Sequence, residues 1–329
     1  MTYLVTGATS YIGKRLARRL LADGHKVRVL TRKPKSLASL EKRGAQVFSG
    51  SVTDRDSLKP AMEGVDGVFH TASWFGIGRS NPAGERLNLE GTRNVLEVAG
   101  DLKVFKIVYT STIAIYGDTR GQLVDENYFY NGAELGWASA FDRSMWKAYY
   151  EVALPQAESG LPLVTVLPGL VFGPGDPSAI GSLLRDLLQD RPLLFLPADT
   201  VYCWSHIDDT VEAHVLAMEW GMPGEAYNIS GEPATLVEVM QRAREIAGSR
   251  SQLVPVPAPL LKAASYLVRP FDSKLPPRYT SEALRLASVS YTASNRKART
   301  QLGFSPRSID AGLPSTISAL REALKRSSQ

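Results

Sequence analysis

The chain has 329 residues, which is enough for one large α/β domain with an insertion or for two modest domains. Its hydrophobic fraction of 44% and charged fraction of 22% are ordinary for a soluble globular protein. The net charge of +5 is spread along the chain without a concentrated basic stripe or a reading motif, which argues against nucleic-acid binding.

Four further features of the sequence narrow the class of protein. No apolar run reaches the roughly 18 to 20 residues that a membrane span needs. The single cysteine, Cys203, excludes an intrachain disulfide and suits a reducing compartment, where we expect it in the core or a pocket wall. The N-terminus leads directly into a strand without a signal-peptide pattern, so we expect a cytoplasmic protein. The histidines lack metal-ligand spacing and predict no metal site: His25, His70, His206 and His214.

The first half of the chain alternates short apolar runs with helical patterns. The predicted strands are residues 3–6, 26–30, 46–48, 67–71, 106–110 and 163–167. The predicted helices are residues 12–23, 37–43, 55–62, 82–99 and 143–158. This alternation predicts an α/β fold with a parallel sheet covered on both faces, and ligands bind such sheets outside the carboxyl ends of the strands.

The second half of the chain is less regular. A capping-box pattern at Thr235 predicts a helix that extends to Ala247. The other predicted elements are a strand at 226–230 and helices at 180–189, 209–218, 280–287, 293–302 and 309–325. The Pro-rich segment 255–277 is expected to wrap a pocket. The apolar residues 254–268 within this region could touch a membrane or a lipophilic ligand, although burial in a lid or interface is the favoured interpretation.

A glycine-containing loop follows the first strand and opens the first helix, with the sequence T-G-A-T-S-Y-I-G at residues 6–13. A phosphate requires exposed backbone N–H groups at a helix N-terminus, unobstructed by side chains. Gly7 permits the tight turn and Gly13 permits close packing of helix on sheet. A plain strand–helix turn is the alternative, but the position between strand and helix favours nucleotide binding. The predicted contacts are Gly7, Thr9, Ser10, Tyr11, Ile12 and Gly13.

This loop resembles the T-G-x-x-G-x-x-G loop of the extended short-chain dehydrogenases/reductases, with Ser10 in place of the middle glycine. The resemblance implies a Rossmann-type doubly wound parallel sheet with a smaller C-terminal substrate-binding lobe. It divides the chain into a dinucleotide-binding domain at 1–170 and a lobe at 171–329, with 200–231 returning to the sheet. Basic residues around Arg32 end the second strand where NAD-preferring relatives place an acid, which predicts NADP(H) rather than NAD(H). A solvated basic face is the alternative.

Further segments carry the same resemblance from Tyr3 to about Gly231. In G-S-V-T-D at 50–54, Ser51 replaces the acid that usually accepts from the adenine amino group. The segment F-H-T-A-S at 69–73 is expected beside the adenosine and pyrophosphate, and P-G-L-V at 168–171 beside the nicotinamide. Asn88, in N-L-E-G-T, is either a site organiser or a plain helix-to-sheet hydrogen bond. The implied cofactor contacts are Ser51, Val52, Thr71, Ala72, Ser73, Asn88, Pro168, Gly169, Leu170 and Val171.

The catalytic segments depart from the family pattern. In Y-T-S-T-I-A-I-Y-G at 109–117, Ser111 precedes Thr112, the hydroxyl expected to hydrogen-bond a substrate oxygen. The family uses a tyrosine and a lysine four residues later on one helix face. Here Phe141 stands at the tyrosine position and Met145 at the lysine position, and no tyrosine of the chain has a lysine four residues on. The proton relay is therefore absent.

Three explanations stay open for this loss. The protein is a natural non-redox member, an engineered inactive or repurposed variant, or an enzyme that takes its proton from another group. The candidate groups are Tyr116, Asp142, Arg143, Lys147 and a water on Thr112.

Three aromatic clusters are expected to converge on a hydrophobic substrate pocket, although core packing is the alternative for each single ring. The expected pocket residues are Trp74, Phe75, Trp137, Tyr202, Trp204 and His206.

The chain looks most like the dihydroflavonol-reductase and 3β-hydroxysteroid-dehydrogenase-like branch. We therefore expect an NADP(H)-binding enzyme of apolar small molecules whose redox activity is weakened or replaced by isomerase, lyase or cyclase chemistry. A ligand- or cofactor-sensing binding protein of the same fold is the alternative. By analogy with the family, a homodimer through helices 82–99 and 143–158 is possible.

Overall fold

The computed structural model describes residues 1–76 and 81–327. Its strands are β1 Thr2–Thr6, β2 Lys26–Thr31, β3 Gln46–Ser49, β4 Gly67–His70, β5 Lys106–Thr110, β6 Leu163–Pro168, β7 Leu170–Phe172, β8 Leu193–Pro197, β9 Val201–His206, β10 Ala226–Ile229, β11 Pro233–Thr235 and β12 Leu253–Val256. Within the described residues, seven of them form one parallel sheet in the order β10-β6-β5-β4-β1-β2-β3.

The central strands of this sheet are buried along their whole length. Every residue of β4, β5 and β6 is buried, as expected for strands covered on both faces. The strand order reverses direction between β1 and β4, which leaves a crevice at the carboxyl ends of these two strands. The α/β class with a parallel sheet flanked by helices is therefore confirmed.

The helices cover this sheet and build the rest of the molecule. They are α1 Tyr11–Ala22, α2 Ala38–Glu41, α3 Arg55–Met62, α4 Pro82–Asp101, α5 Gly132–Leu135, α6 Ala140–Lys147, α7 Leu154–Glu158, α8 Ala179–Leu188, α9 Ile207–Trp220, α10 Leu236–Ala247, α11 Ala258–Val268, α12 Ser281–Ala287, α13 Arg296–Leu302 and α14 Ile309–Ser327. The capping box at Thr235 is present, because its hydroxyl accepts from the Glu238 N–H and the Glu238 side chain caps the Thr235 N–H.

Two predicted helices differ from the structure. The helix predicted at 37–43 is instead a 3₁₀ turn at Pro34–Leu37 followed by the short α2, since the proline opens the turn earlier. The helix predicted at 143–158 starts earlier, because the Ser139 hydroxyl caps the Asp142 N–H. It then passes through a π-helix at Ala148–Ala153 before α7.

A second core lies under a smaller lobe. The lobe contains a three-stranded sheet, β11-β9-β7, and a two-stranded sheet, β12-β8. Helices α8, α10 and α14 enclose its apolar core. The chain returns to the main sheet through β10, which pairs with β6. Helix α13 packs against β10, and α9 packs against β6. No described helix is both long and apolar enough to cross a bilayer.

Candidate functional site

The glycine-containing loop lies at the crevice between β1 and β4. Gly7 has a φ of +76°, and a Cβ placed on it would lie 2.6 Å from the Ala72 backbone nitrogen. Any larger residue there would collide with the chain after β4. A Cβ on Gly13 would lie 2.3 Å from the Gly7 carbonyl oxygen, so α1 packs directly on the turn. The two glycines therefore bring the N-terminus of α1 to the end of the sheet.

Ser10, at the position of the family's middle glycine, fits this backbone without strain. Its φ of −76° and ψ of 169° are open to any residue. Its hydroxyl accepts a hydrogen bond from the Gly13 N–H at 3.1 Å and so caps α1. One N–H of the helix terminus is thereby occupied by the protein itself. Thr9 is exposed beside it, and Tyr11 and Ile12 are partly buried in the first turn.

The first helix is tied to the loop that follows β7. The Tyr11 hydroxyl donates to the Pro174 carbonyl oxygen at 3.3 Å, and the Arg15 guanidinium donates to the same oxygen at 2.7 Å. Arg15 also pairs with Asp208 at 2.6 Å, at the start of α9. The loop after β7 and the start of α9 therefore meet the first helix beside the glycine-containing loop. Leu170 and Val171 are partly exposed, and Pro168 and Gly169 precede them.

The residues predicted for the adenosine end lie at the ends of β2 and β3. Arg32 is exposed directly after β2. The Ser51 hydroxyl lies 2.8 Å from that of Thr53, whereas Val52 is buried and would contact a Cβ on Gly91 of α4. On the other side of β1, just after β4, the Thr71 hydroxyl donates to the Thr6 carbonyl oxygen at 2.7 Å, and Ser73 is exposed. The structure thus places these predicted residues along the same carboxyl edge.

Asn88 joins three elements around this edge. Its side-chain oxygen accepts from the Trp74 N–H at 2.6 Å, and its amide nitrogen donates to the Trp74 carbonyl oxygen at 3.1 Å. The same amide donates to the Ser144 hydroxyl at 2.8 Å, on α6. Asn88 is buried, so these bonds are shielded from water. It fixes both the loop after β4 and α6, the helix that carries the predicted catalytic positions.

A buried, neutral histidine, His70, lies next to Asn88 and is connected to it through Thr92. The two ring nitrogens of His70 lie 2.8 Å from the Thr6 hydroxyl and 3.1 Å from the Thr92 hydroxyl. Burial lowers the pKa of His70 to about 3, because the protein interior disfavours its charged form. His70 therefore organises β1, β4 and α4 as an uncharged residue.

The predicted catalytic hydroxyls follow β5. Thr112 is partly exposed and caps a 3₁₀ turn at Ile113–Tyr116, where its hydroxyl accepts from the Ala114 N–H at 3.2 Å. This acceptor role leaves the Thr112 hydroxyl proton available to donate. Ser111 is buried, and its hydroxyl has no hydrogen-bond partner among the described residues.

The two positions predicted for the proton relay both carry apolar side chains. Phe141 is partly buried, and its ring meets that of Phe75 edge to face with centroids 4.9 Å apart. Met145, one turn later on α6, is 2% exposed and belongs to the main hydrophobic core. Phe141 offers no exchangeable proton and Met145 no charge. Phe141 can contact an apolar group, whereas Met145 is enclosed in the core, and neither side chain can move a proton.

Asp142 lies next to Phe141 but points into the interior. Its carboxylate accepts a hydrogen bond from the Tyr291 hydroxyl at 2.7 Å. Burial raises the pKa of Asp142 to about 6, although the hydrogen bonds from Tyr291 and Ser139 oppose the increase. Two further contacts join the start of α6 to α12, since the Ala140 N–H donates to Glu282 and Arg285 donates to the Ala138 carbonyl oxygen.

The other predicted pocket aromatics have separate surroundings. Trp74 packs over Gly84 of α4, and Trp137 contacts Trp146 on α6 with centroids 5.4 Å apart. Tyr202 lies beside Tyr291, at 6.4 Å between centroids. Trp137 thus contacts α6 directly, whereas Tyr202 is connected to it through Tyr291 and Trp74 through Asn88.

Two further predicted pocket residues are buried. Trp204 lies in the apolar core of the lobe, where its ring nitrogen donates to the Ala234 carbonyl oxygen. His206 is buried as well and caps α9 by accepting from the Asp208 N–H at 3.2 Å. Cys203 lies in the core as expected. The described residues contain no cluster of groups that could hold a metal ion.

Sequence reasoning missed the partners that reach α6 from the C-terminal part of the chain. Tyr291, Glu282 and Arg285 lie about 140 residues or more further along, as their bonds to Asp142, Ala140 and Ala138 show. No local spacing pattern encodes such contacts.

The parallel sheet, the glycine turn at its crevice and the lobe beside it define a Rossmann-type α/β protein. A model of the NAD dependent epimerase/dehydratase family matches residues 3–230, and the chain belongs to that family. Sterol demethylase protein B of Methylococcus capsulatus is 29% identical over 98% of this chain and 99% of its own length.

Two further comparisons extend over almost the whole chain. The 4-hydroxy-2-methyl-3-oxo-4-farnesyl-3,4-dihydroquinoline-1-oxide ketoreductase of Stigmatella aurantiaca is 29% identical over 93% of this chain and 92% of its own length. The crystal structure of gox2253 matches with a TM-score of 0.82 and 30% identity, covering 98% of each chain.

Proposed function

We propose that this chain binds NADP(H) and acts on an alcohol or carbonyl group of an apolar small molecule without a tyrosine–lysine proton relay. The observation that carries the proposal is the apolar face of α6, where Phe141 and Met145 occupy the two relay positions and the helix packs against the 3₁₀ turn that the partly exposed Thr112 caps. Its redox reaction is weak, or is replaced by isomerisation, elimination or cyclisation. We place the protein in the dihydroflavonol-reductase and 3β-hydroxysteroid-dehydrogenase-like branch.

The cofactor edge fits a dinucleotide. The N-terminus of α1 presents N–H groups for the pyrophosphate beside exposed Thr9, and the φ of Gly7 keeps the turn clear of side chains. Arg32, exposed after β2, suits the 2′-phosphate that distinguishes NADP(H) from NAD(H). Such a cofactor, when bound, supplies or accepts a hydride.

The chain's own residues would orient the substrate and exclude water. The Thr112 hydroxyl donates to the substrate oxygen, since its lone pair already accepts from the Ala114 N–H. Phe75 and Phe141 pack against the apolar body of the substrate. Loss of a general acid or base typically costs roughly 10²–10⁴-fold in rate. Positioning and electrostatics are the contributions that remain.

The names of the relatives support an apolar substrate. One relative is named for sterols and another for a farnesylated dihydroquinoline, and each matches more than nine-tenths of this chain. Both names describe large, predominantly hydrocarbon molecules. The 54% exposure of the Phe75 side chain, edge-on to Phe141, gives such a molecule an apolar surface to contact.

A second candidate is a cofactor- or ligand-sensing protein without turnover. The same apolar face favours it, because nucleotide binding does not depend on Phe141 or Met145 having an exchangeable proton. This candidate predicts tight nucleotide binding and no nucleotide consumption with any carbonyl compound. Homodimerisation through α4 and the α6–α7 segment also remains a proposal, which sedimentation velocity would test.

Calorimetric titration of NADPH and NADH into the parent and into Phe141→Tyr/Met145→Lys is the first experiment, followed by turnover assays on a panel of sterol and prenylated ketones. We expect the parent to prefer NADPH, Arg32→Glu to lose that preference, and the double variant to gain reductase activity. Phe75→Tyr is the matched control, because it adds a phenol beside Phe141 but off the helix. Binding of neither nucleotide by the parent would refute the proposal. Binding without turnover in parent and double variant alike would favour the sensing protein.

A further inference from the structure

The helix α11 carries an apolar stripe that faces solvent. Leu260 is 61% exposed, Leu267 is 76% exposed, and Phe271, just beyond the helix, is 57% exposed. Leu260, Ala263 and Leu267 are three and then four residues apart, so they lie on one face of the helix. This face belongs to a helix with overall apolar character.

The opposite face of α11 anchors it to the lobe. Leu261 and Ser265 are buried, and the helix packs closely against α12 and also contacts β8. The exposed stripe is therefore part of a folded element rather than a loose end. The neighbouring strands β8 and β12 add further exposed apolar side chains, which are Leu194, Phe195 and Val254.

Within residues 250–278 the charges are positive except that of Asp272, and Asp199 lies at the N-terminus of α11, where its carboxylate accepts from the Ala258 N–H at 2.8 Å. Lys262, Arg269 and Lys274 are exposed in or just after α11. The acid among residues 250–278 is Asp272, and its carboxylate accepts from the Ser281 N–H at 2.7 Å and from the Ser281 hydroxyl at 2.5 Å. These bonds tie the Asp272 carboxylate to Ser281 at the start of α12. An apolar stripe bordered by cations is complementary to an anionic lipid surface.

We propose that the exposed face of α11 docks this protein onto an anionic lipid bilayer, lying in the interface without spanning it. The apolar stripe would enter the boundary between headgroups and acyl chains, and the cations would contact the lipid phosphates. This goes beyond the proposed function, because docking requires neither nucleotide nor turnover.

The docking face is connected to the candidate site through packed helices. Helix α11 packs on α12, and α12 holds the start of α6 through Glu282 and Arg285. Phe141 follows directly on that helix. A docked molecule would thus keep the lobe beside its apolar site at the bilayer surface, where molecules of the class proposed above partition. This last step rests on the proposed function, whereas docking itself does not.

Vesicle flotation of the full chain, without nucleotide or substrate, tests the proposal. The probes are vesicles of phosphatidylglycerol and phosphatidylcholine, with phosphatidylcholine alone as the neutral comparison. We expect binding to the anionic vesicles that weakens as salt rises. Removing one interfacial cation should weaken binding roughly fivefold. The triple reversal Lys262→Glu/Arg269→Glu/Lys274→Glu and the polar triple Leu260→Ser/Leu267→Ser/Phe271→Ser should therefore each lose at least about tenfold.

A matched control comes from exposed apolar residues at the main sheet, away from α11. Phe105, Trp220 and Met222 are comparably exposed, but acids lie among their neighbours, including Asp101 and Glu219. Phe105→Ser/Trp220→Ser/Met222→Ser should keep full vesicle binding. Because all the changed side chains are exposed, circular dichroism should show a native fold in each variant.

Three outcomes would overturn the proposal. They are no binding of the parent to anionic vesicles, equal binding by the parent and both α11 triples, and conversion of a dimer to a monomer by the polar triple in sedimentation. The last outcome would assign the face to a second copy of the chain. None of these outcomes bears on nucleotide binding, so failure here is distinguishable from failure of the proposed function.

Discussion

Asp142 allows a test of the electrostatics at the start of α6. Its carboxyl group is buried against Tyr291, and burial raises its pKa from 3.8 to about 6. Between these two values the native protein holds a proton that the unfolded chain has lost. The resulting stability is fully present below pH 3.8 and is lost as the pH rises through about 6. Asp142→Asn mimics the protonated form and removes this dependence.

The size of the effect follows from the two pKa values. A change from 3.8 to about 6 corresponds to about 3 kcal/mol of lost stability once the pH exceeds both values. From about pH 4.5 to about pH 8, the stability of Asp142→Asn relative to the parent should therefore rise by roughly 2 kcal/mol. The buried neutral histidines His70 and His214 titrate in an overlapping range with the opposite sign, but they are common to both proteins and cancel in the difference.

Urea unfolding followed by circular dichroism at several pH values measures this difference. Tyr291→Phe is the companion variant, because loss of its hydrogen bond should raise the pKa of Asp142 further and steepen the loss of stability with pH. Asp56→Asn, at an exposed position, controls for the effect of replacing a carboxylate with an amide. A difference between parent and Asp142→Asn that stays constant from pH 4.5 to pH 8 would refute the reasoning.

Two further predictions concern the turn and the bridge that shape the site. Gly7→Ala should destabilise the fold by at least about 3 kcal/mol in urea unfolding and abolish nucleotide binding, because its Cβ would meet backbone atoms at 2.6 Å. Gly24→Ala, which also has a positive φ but open space around it, should cost only about 1–2 kcal/mol, and equal costs would contradict the crowding argument. Asn88→Ala should cost about 2–4 kcal/mol by leaving buried partners unbonded, against about 1 kcal/mol for Asn94→Ala, which loses one bond to Val52. If the two asparagine variants melted alike, Asn88 would not be the bridge described.

Much of the fold could be predicted because its signals are local. The bounds of β5 and α3 agree with those expected from apolar periodicity. The glycine turn before α1 and the capping box at Thr235 each depend on residues within a few positions of one another. The predictions failed where local signals were weak, as in the short helix after β2.

The candidate site likewise has features that the sequence determined and features that only the tertiary structure decided. The sequence by itself determined the class of fold, the glycine turn and the absence of a tyrosine–lysine pair, because each is written in the identity and spacing of neighbouring residues. Only the tertiary structure decided that Phe75 meets Phe141, that Asn88 bridges Trp74 and Ser144, and that Tyr291 donates to Asp142 across 149 residues. Such contacts depend on the strand order of the sheet and on how the C-terminal helices pack against α6, which no short stretch of sequence encodes.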